Sequence, residues 1–299
     1  MQIKTFEELK RLYHKSDKKL HEFIQENEAN SLDITIENFR KSVKFTLDAM
    51  KEAIKNGLNS KEITNGKMGG FDCNKQLEYY KLHPSIFGKT FENIVCYALA
   101  TSEENARMGK IAACPTAGAC GIVPAVLISM FEKYNTDIEK QIDCLIIAGV
   151  VGQIISNKVK PAGAIAGCQA ECGTASAMAA GAMAYLLTDD IEIVFNAVAL
   201  SLKNILGLTC DPVRGFVEVP CIKRNPFLAL HAVLSVEIAM SGIKSVIPVD
   251  EVVDAMEQTG VLMAASLKES SQAGLAKTKT AIIMEKACFT KKYYSELKD

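Results

Sequence analysis

Residues 174–187 read TASAMAAGAMAYLL, a run rich in alanine with no charged side chain. Alanine is the strongest helix former, so the run is expected to be a helix. Side chains this small let neighbouring backbones approach closely. The run closes a longer stretch, from about residue 90 to 187, that is rich in Ala, Gly, Ile and Val and poor in charge. Val/Ile/Thr alternation of the strand type is scarce throughout. The expected fold class is therefore mainly α: a compact helical domain with glycine-rich loops between buried helices.

The remaining patterns fit that frame. Residues 1–60 are rich in Lys, Glu and Leu and show helical spacing at Phe6, Leu9 and Leu12, and again at Phe39, Val43, Phe45, Leu47 and Met50. They are expected to form two or three amphipathic helices. Residues 64–74, TNGKMGGFDCN, are a glycine-rich break. A helix is expected after Asp189-Asp190, over IEIVFNAVALSLKNI, with Gly207 as its stop. Asn225-Pro226 offers an N-cap followed by proline at the first helical position, opening FLALHAVLSVEIAM. Another helix is expected from Asp250 to near Gly260. The expected division is an N-terminal helical segment (1–60), a main domain (61–285) and a charged tail (286–299).

Several function classes are excluded early. The 34 basic and 35 acidic residues leave a net charge of −1, which gives no field for nucleic acid or an anionic membrane. The start, MQIKTFEELKRLYHK, has no apolar core of a signal peptide, so a cytoplasmic location is expected. The most apolar run, CLIIAGVVGQIIS (144–156), is shorter than the roughly 20 residues of a membrane span and reads as a buried helix. HPSIFGKT (83–90) imitates the end of a phosphate-binding loop, but His83 stands where its first glycine should be. No G-x-G-x-x-G opens a strand-to-helix turn.

The ten cysteines carry the chemistry. Without a secretory signal, metal ligation or plain burial explains them better than disulfides. Cys96 and Cys144 lie in apolar runs and are expected in the core; Cys288 is near the charged tail. Cys210 and Cys221 differ. They sit in LGLTCDPVRGFVEVPC (206–221), beside Pro212 and Pro220, on a loop between two expected helices. Such loops hold metal ligands well because the stems fix their geometry. A third ligand is available from Cys168 or Cys172 in GAIAGCQAECG. Structural zinc favours close cysteine pairs and four ligands, whereas thiolates at wide spacing with no nearby histidine suit an iron–sulfur cluster. Buried structural cysteines would give the same spacing.

Upstream, CPTAGACG (114–121) combines proline, a hydroxyl and two glycines. Successive N–H groups in such a turn can bind an anion, with Thr116 adding a hydroxyl donor. A tight helix–helix turn would need the same glycines.

Together, NARMGKIAACPTAGACGIVPAVL, GAIAGCQAECGTASAMAAGA and LGLTCDPVRGFVEVPC resemble the alpha chain of the iron–sulfur L-serine dehydratases, over roughly residues 64 to 280. The resemblance implies a [4Fe–4S] cluster on three cysteines with 41 and 10 residues between them, which are Cys168, Cys210 and Cys221 here. Cys172 falls outside that spacing, at a place where the family usually carries an aliphatic residue. Three ligands leave one iron open as a Lewis acid. The implied reaction is β-elimination of water from L-serine, giving pyruvate and ammonia. Thr116, Ala117 and Gly118 would hold the substrate carboxylate, with Asn65 and Ser102, and beside them Thr64, Gly66, Glu103 and Asn105, as weaker candidates for the pocket wall.

No histidine lies inside the three motifs. His83 and His231 are possible bases, with His231 on an expected helix where packing is the simpler role. The resemblance also implies a smaller beta chain, which in some members is fused, and which could supply the base. An L-cysteine desulfidase of the same mechanism and a non-catalytic iron–sulfur sensor are the alternatives. An electron-transfer protein would need a fourth ligand, such as Cys172 or Cys288. A pyridoxal-phosphate enzyme lacks support, because neither its lysine motif nor a tetraglycine loop is present.

Overall fold

The computed structural model describes residues 2–287, so Cys288 and all of the expected charged tail beyond Ala287 lie outside the described residues. Thirteen α-helices run through them: α1 (Phe6–Tyr13), α2 (Leu20–Ser31), α3 (Ile36–Asn59), α4 (Asp72–Leu82), α5 (Lys89–Ala106), α6 (Ile122–Tyr134), α7 (Ile138–Lys158), α8 (Gly163–Ala166), α9 (Cys168–Thr188), α10 (Ile191–Lys203), α11 (Cys221–Met240), α12 (Val249–Leu262) and α13 (Lys279–Ala287). No strand occurs among the described residues; one isolated parallel bridge pairs Cys210 with Lys268. The mainly helical fold read from the sequence is the fold observed.

Local chemistry explains where the helices start. Thr5, Thr35, Asp137 and Asp190 each accept an N–H of the first turn, opening α1, α3, α7 and α10. α9 is buried from Cys168 to Tyr185 apart from Glu171, as a helix apolar on every face must be. α7 and α10 close on it from two sides. A Cβ added at Gly181 would lie 3.1 Å from both Val151 Cγ2 and Val198 Cγ2, so the small side chain sets the approach distance. CLIIAGVVGQIIS forms most of α7, a helix of this core. No helix of the described residues is long and apolar enough to cross a membrane.

The first 60 residues form three helices, and their apolar side chains enter the core that α7 and α9 share: Phe6, Leu9, Leu20, Ile24, Leu47 and Met50 are all buried there. Phe45 departs from the expected face. It is exposed, with Lys110 over its ring. Cys144 lies in the main core, and Cys96 packs with Cys73, Leu99, Ala100 and Ile222 in a small second one.

Two helix boundaries differ from expectation. α10 ends at Lys203, so Gly207 lies in the following loop, at φ 87, rather than closing the helix. α11 begins at Cys221, which puts Asn225-Pro226 inside it. The amide of Asn225 is spent on tertiary contacts instead of capping, and Pro226, the sixth residue of α11, leaves the helix without the bond an N–H there would give to the Ile222 carbonyl.

Candidate active site

Two of the three expected ligand cysteines open helices. Cys168 is the first residue of α9, preceded by Gly167 at φ +76, a backbone conformation that favours glycine. A Cβ at Gly167 would also meet Met263 Sδ at 2.7 Å and the Leu208 carbonyl at 2.9 Å. Cys221 is the first residue of α11. Both thiols therefore lie at the positive ends of long helices, which favour negative charge. Cys210 lies on the extended loop between α10 and α11. Its N–H donates to Leu267 O (2.9 Å), and its carbonyl accepts from Glu269 N (2.6 Å). Asp211 Oδ2 accepts Leu275 N (2.8 Å), and Ser271 Oγ donates to Pro212 O (2.8 Å). The segment 267–275 thus clamps the cysteine loop along its length.

Two of the three expected ligand thiols, Cys168 and Cys210, converge, and Cys221 lies outside their group. Ligand atoms of Cys168, Glu171 and Cys210 all lie within 4.8 Å of one another, a group that could hold a metal ion. Cys168 Sγ is 3.6 Å from Cys172 Sγ and 3.8 Å from Glu171 Oε2. Hydrogen bonds from the Cys172 and Cys210 thiols hold the Cys168 thiol well below the ordinary range, while Cys172 and Cys210 are pushed up. Burial pushes Cys221 up to about 12, and the charge on Cys168 adds to this. Arg224, mostly buried one turn into α11, donates to Thr209 O (2.9 Å), and its charge helps hold the Cys168 thiolate.

Glu171 links this group to the Cys-Pro-Thr-Ala-Gly turn. Thr116 Oγ1 donates to Glu171 Oε1 at 2.5 Å. Burial, then the charge of Cys168, raises the Glu171 carboxyl to about 7. Gly118 passes so close that a Cβ there would meet Glu171 Oε1 at 2.5 Å. Asn225 fastens the turn to α11 through Gly121 N–H and Gly118 O, each at 2.9 Å. Among the described residues, no acceptor meets the N–H groups of Thr116, Ala117 and Gly118. Gly118 is buried, Thr116 half-buried and Ala117 exposed.

The loop with Thr64, Asn65 and Gly66 reaches the same place. Glu218 accepts Gly66 N (2.5 Å) and Met68 N (2.9 Å), tying this loop to the cysteine loop. Thr64 Oγ1 donates to Gly69 O (3.1 Å) and closes the loop on itself. Asn65 is exposed, its N–H donating to Ala106 O (3.1 Å). Ser102 is buried behind the turn; a Cβ at Gly121 would lie 2.7 Å from its hydroxyl oxygen, which no protein group bonds. Glu103 supports the loop from below, accepting Gly70 N (3.3 Å) and Asp72 N (2.7 Å). Asn105 stands at the C-terminal end of α5.

The histidines stay outside. His83 is exposed at the C-terminal end of α4, whose first residue, Asp72, faces the site. Eleven helical residues put roughly 16 Å between those ends. His231 Nε2 pairs with Ser201 O (2.8 Å) in the α10–α11 interface, a packing role. Glu171, Asn225, Glu218 and Arg224 were missed by sequence reasoning. For Glu171 a signal existed: it is the sole charged side chain between Lys160 and Asp189.

The family model described as serine dehydratase alpha chain matches residues 15–276, nearly all of the fold after α1. The chain belongs to the serine dehydratase alpha chain family. The probable L-serine dehydratase alpha chain of Bacillus subtilis (strain 168) is 42% identical over 255 residues, 85% of this chain and 85% of that protein. The L-serine dehydratase alpha chain of Peptoniphilus asaccharolyticus is 38% identical over 262 residues, 88% of this chain and 90% of that protein. The L-serine dehydratase of Streptomyces coelicolor is 42% identical over 187 residues, which are 62% of this chain but only 41% of that longer protein. The family match spans all four site segments: the 64–70 loop, the 114–121 turn, the start of α9 and the cysteine loop.

Proposed function

We propose that this chain is the alpha subunit of an iron–sulfur L-serine dehydratase that converts L-serine to pyruvate and ammonia. The observation that carries the reading is one carboxylate with two neighbours. Glu171 bonds the hydroxyl of the anion-binding turn (Thr116, 2.5 Å) and touches the thiol group (Cys168, 3.8 Å), so the two motifs make one site.

The residues present fit a [4Fe–4S] cluster held by Cys168, Cys210 and Cys221. All three thiols are buried and unpaired by disulfides, two start helices, and Arg224 adds a positive charge. Gly163 leaves room beside Cys210, where a Cβ would sit 2.5 Å from its Sγ. When bound, such a cluster supplies a Lewis-acidic iron that neutralises the charge of a leaving hydroxyl.

The chain's own groups bind and orient. The unpaired N–H groups of Thr116, Ala117 and Gly118 take the substrate carboxylate, while the single Thr116 O–H is given to Glu171. That anchor fixes where the α-hydrogen points. Glu171 holds Thr116 in one rotamer, and Asn225 holds the whole turn against α11. Ser102 lies behind the turn at Gly121, and Asn65 stands exposed on the 64–70 loop. The base that takes the α-proton comes from a separate beta chain. Support lies in the histidine-free site, in the relatives named as alpha chains, and in the Streptomyces coelicolor protein, more than half of which lies outside the match.

The deciding experiment is anaerobic purification, iron and sulfide analysis, and pyruvate release from L-serine and L-cysteine, with and without a beta chain. Iron-loaded chain that turns over L-serine once the beta chain is added meets the expectation. Iron-free chain, or a chain fully active alone, overturns the corresponding part.

A further inference from the structure

We propose that Cys168 and Cys172 form a thiol–disulfide pair, closed by hydrogen peroxide when the site carries no metal. Their sulfurs lie 3.6 Å apart, both fully buried, on successive turns of α9. Residues four apart in a helix have Cα atoms about 6 Å apart. That lies inside the span a disulfide bridges, and the sulfurs need approach only to about 2.05 Å. Cys168 is the first residue of the helix, so its N–H has no intrahelical bond to lose when the first turn adjusts. Gly167 ahead of it adds a flexible joint.

Cys210 is the competing partner, also near Cys168. Its backbone is pinned on both sides, by Leu267 O and Glu269 N, so it is held back from the approach that Cys172 can make. Cys172 needs no backbone movement between elements.

The chemistry balances. The Cys168 sulfur attacks one peroxide oxygen, the O–O bond breaks, and a sulfenic acid and water form. The Cys172 thiol then attacks that sulfur, the S–O bond breaks, a second water leaves and the S–S bond forms. Two thiols are oxidised by two electrons and one peroxide is reduced to two waters. Because Cys168 is the ligand assigned under the proposed function, the closed pair removes one ligand, and metal returns only after a thiol reductant reopens it. That consequence rests on the proposed function; the bond itself does not.

The test uses full-length chain, stripped of metal anaerobically with a chelator and treated with one equivalent of hydrogen peroxide. Trypsin leaves Cys168 and Cys172 on one peptide, Val159–Lys203, and Cys210 on another, Asn204–Arg214. The expected result is a Val159–Lys203 peptide lighter by about 2 Da without reduction, restored by dithiothreitol, and no cross-link between the two peptides. Free thiols fall by two per chain. Cys172→Val should show neither change. A Cys168–Cys210 cross-link, or sulfinic acid at Cys168 with Cys172 still free, would overturn the proposal. Iron analysis of untreated anaerobic protein is read separately: no iron sinks the cluster and leaves the pair standing, whereas iron there with no disulfide after stripping and peroxide sinks the pair alone.

Discussion

Asn225 and Gly118 are joined by a hydrogen bond of 2.9 Å across the base of the 114–121 turn, from the side-chain amide to the carbonyl. The same side chain accepts Gly121 N–H and donates to Cys221 O, each at 2.9 Å, and is fully buried. One amide therefore couples the turn to the helix that begins with Cys221.

Asn225→Ala leaves the Gly121 N–H and the Gly118 carbonyl unpaired in the interior. Each buried unsatisfied group costs about 1–3 kcal/mol, so a loss of roughly 3 kcal/mol is expected in urea unfolding. Loss of the turn's position should raise KM for L-serine more than it lowers kcat. An unfolding midpoint equal to that of the parent chain would refute the coupling.

Thr116→Val removes the bond to Glu171 that fixes the turn beside the thiols. Hydrogen bonds to charged groups contribute about 1.5–3 kcal/mol, which corresponds to a fall of about tenfold to a hundredfold in kcat/KM. Thr116→Ser keeps the hydroxyl and should retain most of the activity. Equal loss in both variants would argue for a packing role alone.

Metal content should follow the geometry of the thiols. Cys210→Ser and Cys221→Ser should lose most of the iron, and Cys172→Ser should keep it. Gly163→Ala places a methyl 2.5 Å from Cys210 Sγ, against a backbone clamped by Leu267 and Glu269. A drop of about tenfold in metal affinity is expected from a displaced ligand. Full iron in Gly163→Ala would show that Cys210 shifts freely.

Stability should depend on pH through His21. Its Nδ1 pairs with Tyr185 Oη at 2.6 Å, and Nε2 faces Asp143 at 3.4 Å. Asp143 favours the charged imidazole, but Arg40 already holds that carboxylate at 2.8 Å, and burial wins: His21 lies below its ordinary value of 6.5. The folded state then stays neutral where the unfolded chain takes up a proton. Stability from this group is complete above pH 6.5 and is lost as pH falls from there through the folded value. Urea midpoints from pH 8 to 5 should decline over that window, and His21→Asn should flatten the decline. An unchanged slope would assign the pH dependence to other groups.

The amino-acid order alone determined the helical class, the buried alanine-rich helix and the short segments that carry the site. These are local properties: propensity, periodicity and turn chemistry act over a few residues and survive without knowledge of the neighbours. Only the tertiary structure decided which side chains meet. Glu171 looked like one acid in a quoted motif until α9 placed it between Thr116 and Cys168. Asn225 looked like a helix cap until α11 began four residues earlier and turned its amide toward Gly118. His83 looked near enough in sequence, yet α4 carries it to the far end of a rod. Partners separated by 55 or 107 positions are chosen by helix packing, where the direction of each rod and the size of the residues between them set every distance.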